Sequence, residues 1–220
     1  MKEIKIITKN HLRTKRNYLD RMLDEKVKCM NIASKYGREY WDGKRRYGYG
    51  GYKFIKGFQT PVALKIIKNF KLTNKSRIID IGCGKGFLIY EIKKILPGIE
   101  IVGLDISKYA KSKSKNEIKE FIKIHKAEKR LPFKSKYFDL AISINCFHNL
   151  QINHLKIAIT ELTRVSKKQY IAVESYRNNK ELFNLQCWAL TCQSFFNKNE
   201  WKWILNENNY NGFYEFIYFT

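Results

Sequence analysis

Hydrophobic positions along the chain follow two patterns, short β-branched runs and stretches in which apolar residues recur every three or four positions. A short apolar run bounded by turn residues favours a buried strand, and the three-to-four spacing favours a helix. Strands are predicted at 78–81, 99–105, 121–124, 138–144, 170–173 and 213–219. Helices are predicted at 60–70, 87–96, 107–116, 152–165, 181–196 and 199–208.

The first 46 residues carry a charged, amphipathic pattern that predicts helices, with one apolar face marked by Leu19, Met22, Leu23, Val27 and Met30. This extension either packs beside the sheet or covers a ligand site as a lid. The segment 47–52 that follows interleaves Tyr47, Tyr49 and Tyr52 with three glycines. Such a segment forms no regular helix or strand. It is either an ordered surface turn or a loop that closes on a ligand with its phenol groups.

The stretch 77–91, RIIDIGCGKGFLIYE, combines a buried strand, a glycine turn and a helix. Gly82, Gly84 and Gly86 occur at two-residue spacing between them. Glycines between a parallel strand and a helix let a ligand lie against bare backbone near the helix N-terminus. The dinucleotide-binding fingerprint places its third glycine three residues after the second. Here the third glycine comes after two residues, so the turn differs from that fingerprint.

The stretch D-I-G-C-G-K-G resembles the first motif of the class I, Rossmann-like S-adenosylmethionine-dependent methyltransferases. The segment 99–107, IEIVGLDIS, agrees with this resemblance. Its predicted strand ends in Asp105, roughly 20 residues after the glycines, where a carboxylate can hold ribose hydroxyls. The segment 131–143, LPFKSKYFDLAIS, is similar to the family's approach to its fourth strand. The resemblance implies an α/β fold: a doubly wound, mostly parallel sheet with helices on both faces and an N-terminal helical extension.

The resemblance also implies S-adenosyl-L-methionine as cofactor and a set of residues that bind it: Asp80, Gly82, Cys83, Gly84, Gly86, Asp105, Ile106, Ala127, Glu128 and Asn145. Family members usually bind the adenine amino group with an acidic residue after the third strand. Glu128 comes one or two residues late for that role and is alternatively a solvated loop charge. Ala127 would then contribute backbone contacts to the adenine.

Three residues after the fourth and fifth predicted strands are candidates for catalysis. His148 is a candidate general base, because an imidazole titrates near neutral pH, or alternatively a residue that orients its loop by local hydrogen bonds. Asn145 would orient the acceptor or the cofactor, and Glu174 would bind an acceptor amine or hydroxyl or else form an ion pair. Tyr176, Arg177 and Trp188 are candidate substrate contacts, the last on an apolar segment that is either an acceptor-pocket wall, core or a dimer face.

The length of 220 residues predicts one domain, with residues 1–58 as extension or lid and 59–220 as core. The five cysteines form no C-x-x-C pair, which predicts reduced thiols in a cytoplasmic protein without a metal site. No apolar run is long enough to span a membrane, and the charged N-terminus does not resemble a secretory signal. A monomer or a homodimer is expected.

The formal net charge of +23 indicates either a surface that binds RNA, DNA or an anionic substrate, or the coding bias of a lysine-rich chain. The chain lacks an N-P-P-Y-type tetrapeptide after the fourth predicted strand, which argues against amino-group methylation of nucleobases by the route that uses this motif. The resemblance implies methyl transfer. The compact single domain, the possible lid and the apolar, aromatic segment 181–196 favour a small-molecule acceptor: a sugar, a nucleotide-linked intermediate or another metabolite. The alternatives are an RNA-modifying methyltransferase and a non-catalytic partner subunit of the same fold.

Overall fold

A computed structural model describes residues 1–7 and 16–220. These residues contain a seven-stranded sheet in which every neighbouring pair of strands is parallel. The strands are β1 (Lys2–Glu3), β2 (Arg77–Ile81), β3 (Glu100–Asp105), β4 (Ile122–Ile124), β5 (Phe138–Ile144), β6 (Ser166–Glu174) and β7 (Phe213–Ile217). Their order across the sheet is β1-β7-β6-β5-β2-β3-β4.

Helices connect these strands. They are α1 (Tyr18–Leu23), α2 (Lys26–Ala33), α3 (Arg38–Asp42), α4 (Thr60–Phe70), α5 (Phe87–Ile95), α6 (Lys108–Ser112), α7 (Asn116–Lys119), α8 (Ile152–Val165), α9 (Asn179–Trp188) and α10 (Lys198–Glu207). Single 3-10 turns lie at Arg45–Tyr47 and Phe147–Asn149. In the part of the chain that the structure describes, no helix is both long and apolar enough to cross a bilayer.

The β-branched strand residues bury both faces of the sheet, as their runs predict. In β2, Ile79 and Ile81 join the core under α8 and α10, whereas Ile78 joins the core under α4 and α5. Successive side chains of a strand point to opposite faces, so one strand contributes to two cores. The doubly wound, parallel α/β fold predicted from the sequence is confirmed.

The N-terminal prediction is correct in part. Helices do occur between 18 and 42, but Lys2–Glu3 forms a strand that pairs in parallel with β7 and takes the edge of the sheet. The predicted apolar face is wrong, since Leu19, Leu23 and Val27 are exposed. The helix is interrupted at Glu25, which has a left-handed backbone with φ 42°, and this break changes which side of α2 faces the protein. The segment 8–15 of the predicted extension lies outside the described residues.

Two other helix predictions differ from the structure. The predicted helix 107–116 is two short helices, α6 and α7. The predicted helix 181–196 ends at Trp188, and the residues after it are bound to the loop after β5 instead. The backbone N–H groups of Gln193 and Ser194 donate to the carbonyl of His148 at 2.9 and 3.0 Å, so they are unavailable to a helix.

Candidate active site

A cavity of about 650 Å³ lies at the carboxyl ends of the parallel strands. Its floor contains the last residues of β2, β3, β6 and β7 and the loops that follow β4 and β5. This edge is where doubly wound sheets bind ligands, because the strand order reverses there and opens a crevice. The reversal falls between β2 and β5, since β3 and β4 lie to one side of β2 and β6 and β7 to the other.

The glycine turn is held in a fixed shape at this edge. Gly82, Gly84 and Gly86 have φ angles of 84°, 58° and 70°, a left-handed conformation that favours glycine. The N–H groups of Gly82 and Cys83 donate to the carbonyl of Leu104 at 2.7 and 3.0 Å, which ties the turn to β3. Gly86 begins α5 and packs behind the turn, where a Cβ would meet Ile118 and Ile122.

Asp105 connects the glycine turn to the turn after β3. Its carboxylate accepts the N–H of Gly84 at 2.7 Å and the N–H of Ser107 at 2.8 Å. Burial raises the pKa of Asp105, and the backbone donors around it oppose that rise. Each carboxylate oxygen has two lone pairs, so Asp105 can accept further hydrogen bonds from ribose hydroxyls.

Asp80 lies beside it at the end of β2 and is 4% exposed. No other described residue hydrogen-bonds to its side chain. Burial, and then the charge of Asp105, raise the pKa of Asp80 to about 8. A buried carboxyl group without a partner is costly to ionise unless a cation approaches it. The ammonium group at the amino-acid end of S-adenosylmethionine is such a cation, so Asp80 and the turn fit this cofactor.

Residues 16–52 of the N-terminal extension, called the cover below, lie over the glycine turn. A Cβ added to Gly84 would lie 2.7 Å from the ring of Trp41 on α3, so the indole packs directly on the glycine backbone. The Trp41 Nε1–H donates to the Ser107 hydroxyl at 2.9 Å and to the carbonyl of Tyr36 at 3.1 Å. The Ser107 hydroxyl in turn donates to the same carbonyl at 2.5 Å. The extension is therefore bonded to the turn after β3.

A buried ion pair forms a second connection between the cover and the glycine turn. The Lys85 ammonium, within the glycine turn, contacts both carboxylate oxygens of Asp42 at 2.7 Å and the carbonyl of Tyr52 at 2.8 Å. The Lys85 side chain is only 4% exposed. Burial alone would raise the pKa of Asp42, but hydrogen bonds from Lys85 and Tyr109 outweigh it and lower that pKa.

Aromatic rings form the wall between the cover and α5. Tyr49 stacks on Trp41 with ring centroids 5.2 Å apart and planes 6° apart, and Tyr52 stacks on Phe87 at 5.2 Å. The N–H groups of Gly51 and Tyr52 donate to the carbonyl of Trp41 at 3.1 and 2.9 Å, which orders the tyrosine–glycine loop. Tyr49 and Tyr52 both line the cavity, and the closure of this loop on a ligand stays a prediction.

The residues predicted to contact the adenine lie together at the end of the cavity near β3 and β4. Ile106, Lys126, Ala127 and Glu128 line it, with Ala127 buried and Ile106 44% exposed. The Glu128 side chain is 14% exposed, and its carboxylate lies 3.8 Å from the Lys126 ammonium. Glu128 therefore faces the cavity rather than standing alone in solvent, and its role toward the adenine amino group stays a prediction.

The candidate catalytic residues meet between β5 and β6. The N–H of Glu174 donates to Nδ1 of His148 at 3.2 Å, so that nitrogen carries no proton. A neutral ring then carries its proton on Nε2, which lies 3.5 Å from a carboxylate oxygen of Glu174. Burial lowers the pKa of His148 to about 3 and raises that of Glu174 to about 7. Asn145, with a left-handed φ of 56°, lines the same part of the cavity.

The structure places three of the predicted substrate contacts away from the cavity lining. The Arg177 guanidinium binds the carboxylate of Glu181 and stacks on Tyr218, with 4.3 Å from its Cζ to the ring centroid. Tyr176 pairs by a β-bridge with Asn197, and Tyr47 packs in a small cluster around Cys29. Trp188 does line the cavity.

Several cavity residues have no counterpart among the sequence predictions. They are Arg16, Arg21, Tyr36, Tyr40, Trp41 and Arg45. Four of them lie in the aromatic and basic segment 36–49, and the two others, Arg16 and Arg21, lie in the charged stretch before it. Neither composition indicates what these segments pack against.

The sheet and the glycine turn with two buried aspartates define the class: an α/β domain that binds a nucleoside cofactor at the carboxyl ends of its strands. The family described as "Methyltransferase domain" matches residues 72–209. The chain belongs to this family, that of the class I S-adenosylmethionine-dependent methyltransferases, and S-adenosylmethionine is its cofactor. The sequence-based resemblance is thereby confirmed.

Solved structures share the fold. A protein from Bacillus halodurans assigned as a methyltransferase has a TM-score of 0.55 and 17% identity, over 66% of this chain and 67% of that one. A Haloferax volcanii protein with the same assignment, in complex with the Trm112 methyltransferase activator, has a TM-score of 0.54 and 16% identity, over 89% and 76%. The geranyl diphosphate C-methyltransferase of Streptomyces coelicolor was solved with Mg²⁺, geranyl diphosphate and S-adenosyl-L-homocysteine. It has a TM-score of 0.54 and 12% identity, over 66% of this chain and 58% of that one. No curated protein matches the chain significantly.

Proposed function

We propose that this methyltransferase acts on a small-molecule acceptor, a sugar, a nucleotide-linked intermediate or another metabolite, whose reacting atom loses a proton to Glu174. The observation that carries the proposal is the shape of the cavity. It runs from the glycine turn to Glu174, and Trp41, Tyr49 and the other rings of the cover wall it. The cavity of about 650 Å³ would hold the cofactor as well, so the space that remains suits a compact organic molecule better than a segment of a folded RNA.

The cofactor would be held by the residues that the family resemblance implies. Asp80 would bind its ammonium group, Asp105 its ribose, and the bare backbone of Gly84 would allow close approach. When bound, S-adenosylmethionine supplies a methyl group that is already activated for transfer. The protein's remaining task is to position the acceptor and exclude water, which is the work of the cover over the glycine turn.

Glu174 is the better placed of the two candidate bases. Its pKa of about 7, raised by burial against the opposing charge of Arg16, makes it half ionised near neutral pH. A base with a pKa near the working pH is effective in proton transfer. His148 presents no free lone pair, because Nδ1 accepts the Glu174 N–H and Nε2 carries the proton. We propose that His148 is a positioning residue that holds the Glu174 carboxylate from its Nε2 side.

The sign of the pH dependence follows from these assignments. Glu174 accepts a proton only when it is ionised, so turnover rises as the pH increases through about 7. A base with the ordinary pKa of a glutamate would give a flat profile in that range.

Lysines 108 to 123 lie on or next to α6, α7 and β4, on the side of the sheet away from β6 and Glu174. Lys136 differs, since its ammonium donates to the carbonyls of Thr163 and Ser166 at the start of β6. An RNA bound along lysines 108 to 123 would approach the adenine end of the cavity rather than its acceptor end. The Haloferax protein was solved with the Trm112 activator, but 16% identity carries only the fold. RNA modification and a partner-subunit role are therefore the alternative outcomes of the test.

The test uses methyl-labelled S-adenosylmethionine, the purified protein and a cell extract separated into RNA, protein and low-mass fractions. We expect label in the low-mass fraction, reduced about 100-fold by Glu174→Gln and unchanged by the exposed control Glu207→Gln. Label in RNA or protein would overturn the small-molecule proposal. Equal rates for Glu174→Gln and the control would overturn the role of Glu174.

A further inference from the structure

Three arginine side chains converge on the ring of Trp188. The guanidinium carbons of Arg45, Arg16 and Arg21 lie 5.0, 5.3 and 5.3 Å from the ring centroid. Lysines outnumber arginines 33 to 10 in this chain. The basic composition therefore does not explain why three of the ten arginines lie at one indole.

The three arginines come from different parts of the cover and all line the cavity. Arg16 precedes α1, Arg21 lies on α1, and Arg45 begins the 3-10 turn. The charge of Arg16 reaches Glu174, where it opposes the rise in the pKa of that carboxyl group. The cluster therefore belongs to the acceptor side of the cavity, beyond the residues assigned to the cofactor.

Hydrogen bonds hold two of the guanidinium groups in place. Arg21 donates to the carbonyl of Arg45 at 2.7 Å, and Arg45 donates to the carbonyl of Gly48 at 2.6 Å. A guanidinium group has five N–H donors, so each retains donors for a ligand. The Nε of Arg21 is buried and has no hydrogen-bond partner among the described residues.

The positive charge of Arg21 and Arg45 is not balanced by a nearby carboxylate. Within residues 1–7 and 16–220, neither forms an ion pair with an acidic side chain. Asp24, whose charge reaches Arg21, is itself paired with Arg46 at 2.7 Å. Burial and the charge of Arg45 lower the pKa of Arg21, so the arginines repel each other. Such an arrangement is destabilising unless an anion binds to it.

We infer that Arg16, Arg21 and Arg45, gathered around Trp188, bind an anionic group of the methyl acceptor, a phosphate or a carboxylate. The planar guanidinium group matches both oxyanions with paired N–H donors, and the face of an indole holds it in position. The inference rests on the proposed function, since it names the chemical class of the small-molecule acceptor. It directs the acceptor's anionic end toward Trp188 and its reacting end toward Glu174.

The first experiment examines the charge of the labelled low-mass product. We expect it to be retained on an anion-exchange column at neutral pH. Loss of retention after phosphatase treatment identifies a phosphate monoester, and unchanged retention identifies a carboxylate or a phosphodiester. A product that elutes with neutral compounds overturns the inference alone. Label confined to RNA or protein overturns the proposed function, and the inference with it.

The second experiment uses Arg21→Gln and Arg45→Gln, with Arg38→Gln as the matched control. Arg38 is 70% exposed and does not line the cavity, so its loss removes the same charge from elsewhere. The extract fraction that yields the labelled product is diluted until the enzyme is no longer saturated with acceptor. Under these conditions we expect Arg21→Gln and Arg45→Gln each to lower the labelling rate at least about tenfold. The affinity for S-adenosylhomocysteine should stay unchanged, which shows that the variant is folded. Rates equal to that of Arg38→Gln would overturn the inference.

A direct binding measurement covers the case in which a cluster variant does not fold. Inorganic pyrophosphate should raise the melting temperature of the wild-type protein saturated with S-adenosylhomocysteine, and Arg38→Gln should respond in the same way. The conservative variant Arg45→Lys keeps the charge but loses the paired donors, so it should respond more weakly. A wild-type melting temperature that pyrophosphate leaves unchanged would contradict the inference.

Discussion

Replacing Asp80 with asparagine should stabilise the ligand-free protein, and by an amount that depends on pH. Asp80 is 4% exposed, and burial and the neighbouring Asp105 charge raise its pKa to about 8. The ordinary pKa of an aspartate is near 4. The unfolded chain therefore holds an ionised Asp80 at neutral pH, whereas the folded protein holds a protonated one.

The sign and size follow from this difference. Because the folded pKa is raised, the stability contributed by protonated Asp80 is present at low pH and is lost as the pH rises through about 8. For a single proton the slope approaches ~1.4 kcal/mol per pH unit between the two pKa values. From about pH 6 to about pH 8 the wild-type protein should lose ~2 kcal/mol through this group. An asparagine does not titrate, so Asp80→Asn should not lose it.

The assay is urea unfolding followed by tryptophan fluorescence, without cofactor, at several pH values in that range. The stability difference between Asp80→Asn and wild type should grow by ~2 kcal/mol across it. Asp139→Asn is the control, since Asp139 is paired with Lys167 at 2.8 Å and its pKa is lowered, so it stays ionised throughout. A difference for Asp80→Asn that does not change with pH would refute the proposed protonation of this residue.

Three further substitutions test the cover and the positioning residue. Trp41→Ala removes the ring packed on the glycine turn and should weaken S-adenosylhomocysteine binding about tenfold by calorimetry; unchanged affinity would contradict the cover's role. Asp42→Asn leaves Lys85 buried without its carboxylate and should lower the free energy of unfolding, measured in urea, by about 3 kcal/mol. An unchanged free energy of unfolding would contradict a stabilising role of this ion pair. His148→Ala should lower kcat about tenfold and shift the pH–rate profile without changing cofactor affinity, whereas an unaltered profile would make the residue merely structural.

The parts of the site that lie on the sheet could be predicted from the sequence. Asp80, Asp105 and Glu174 lie at or next to the carboxyl ends of their strands, and parallel strands bring these ends to one edge. The glycines identify the turn because only that residue adopts its left-handed angles easily. What the sequence did not predict is the ionisation of these groups, since burial of His148 and Glu174 depends on the assembled walls.

The cover could not be predicted because its contacts connect distant segments. Trp41 bonds to Ser107 across 66 residues, and Asp42 pairs with Lys85 across 43. No periodic pattern encodes such pairs. The apolar face expected between residues 19 and 30 failed for a local reason: Glu25 adopts a left-handed conformation that separates α1 from α2. A left-handed residue other than glycine gives no signal in a hydrophobic pattern.

The helix predicted at 181–196 was too long at its C-terminal end. The apolar residues of the segment 189–196 led to the prediction that the helix continues through it. Its polar atoms form hydrogen bonds to the loop after β5 instead of within a helix. The Thr191 hydroxyl bonds to the Asn149 side chain at 2.8 Å, and the Ser194 hydroxyl donates to the carbonyl of Leu150 at 2.6 Å. These tertiary hydrogen bonds override the local preference.

Calorimetry of S-adenosylhomocysteine binding to the wild-type protein and to Asp105→Ala tests cofactor binding at the glycine turn most directly. Asp139→Ala serves as control, and circular dichroism confirms that each variant is folded. We expect one cofactor to bind per chain, with the affinity of Asp105→Ala lower by at least about 100-fold and that of the control unchanged. Equal affinity of Asp105→Ala and wild type would contradict the placement of the cofactor in this cavity.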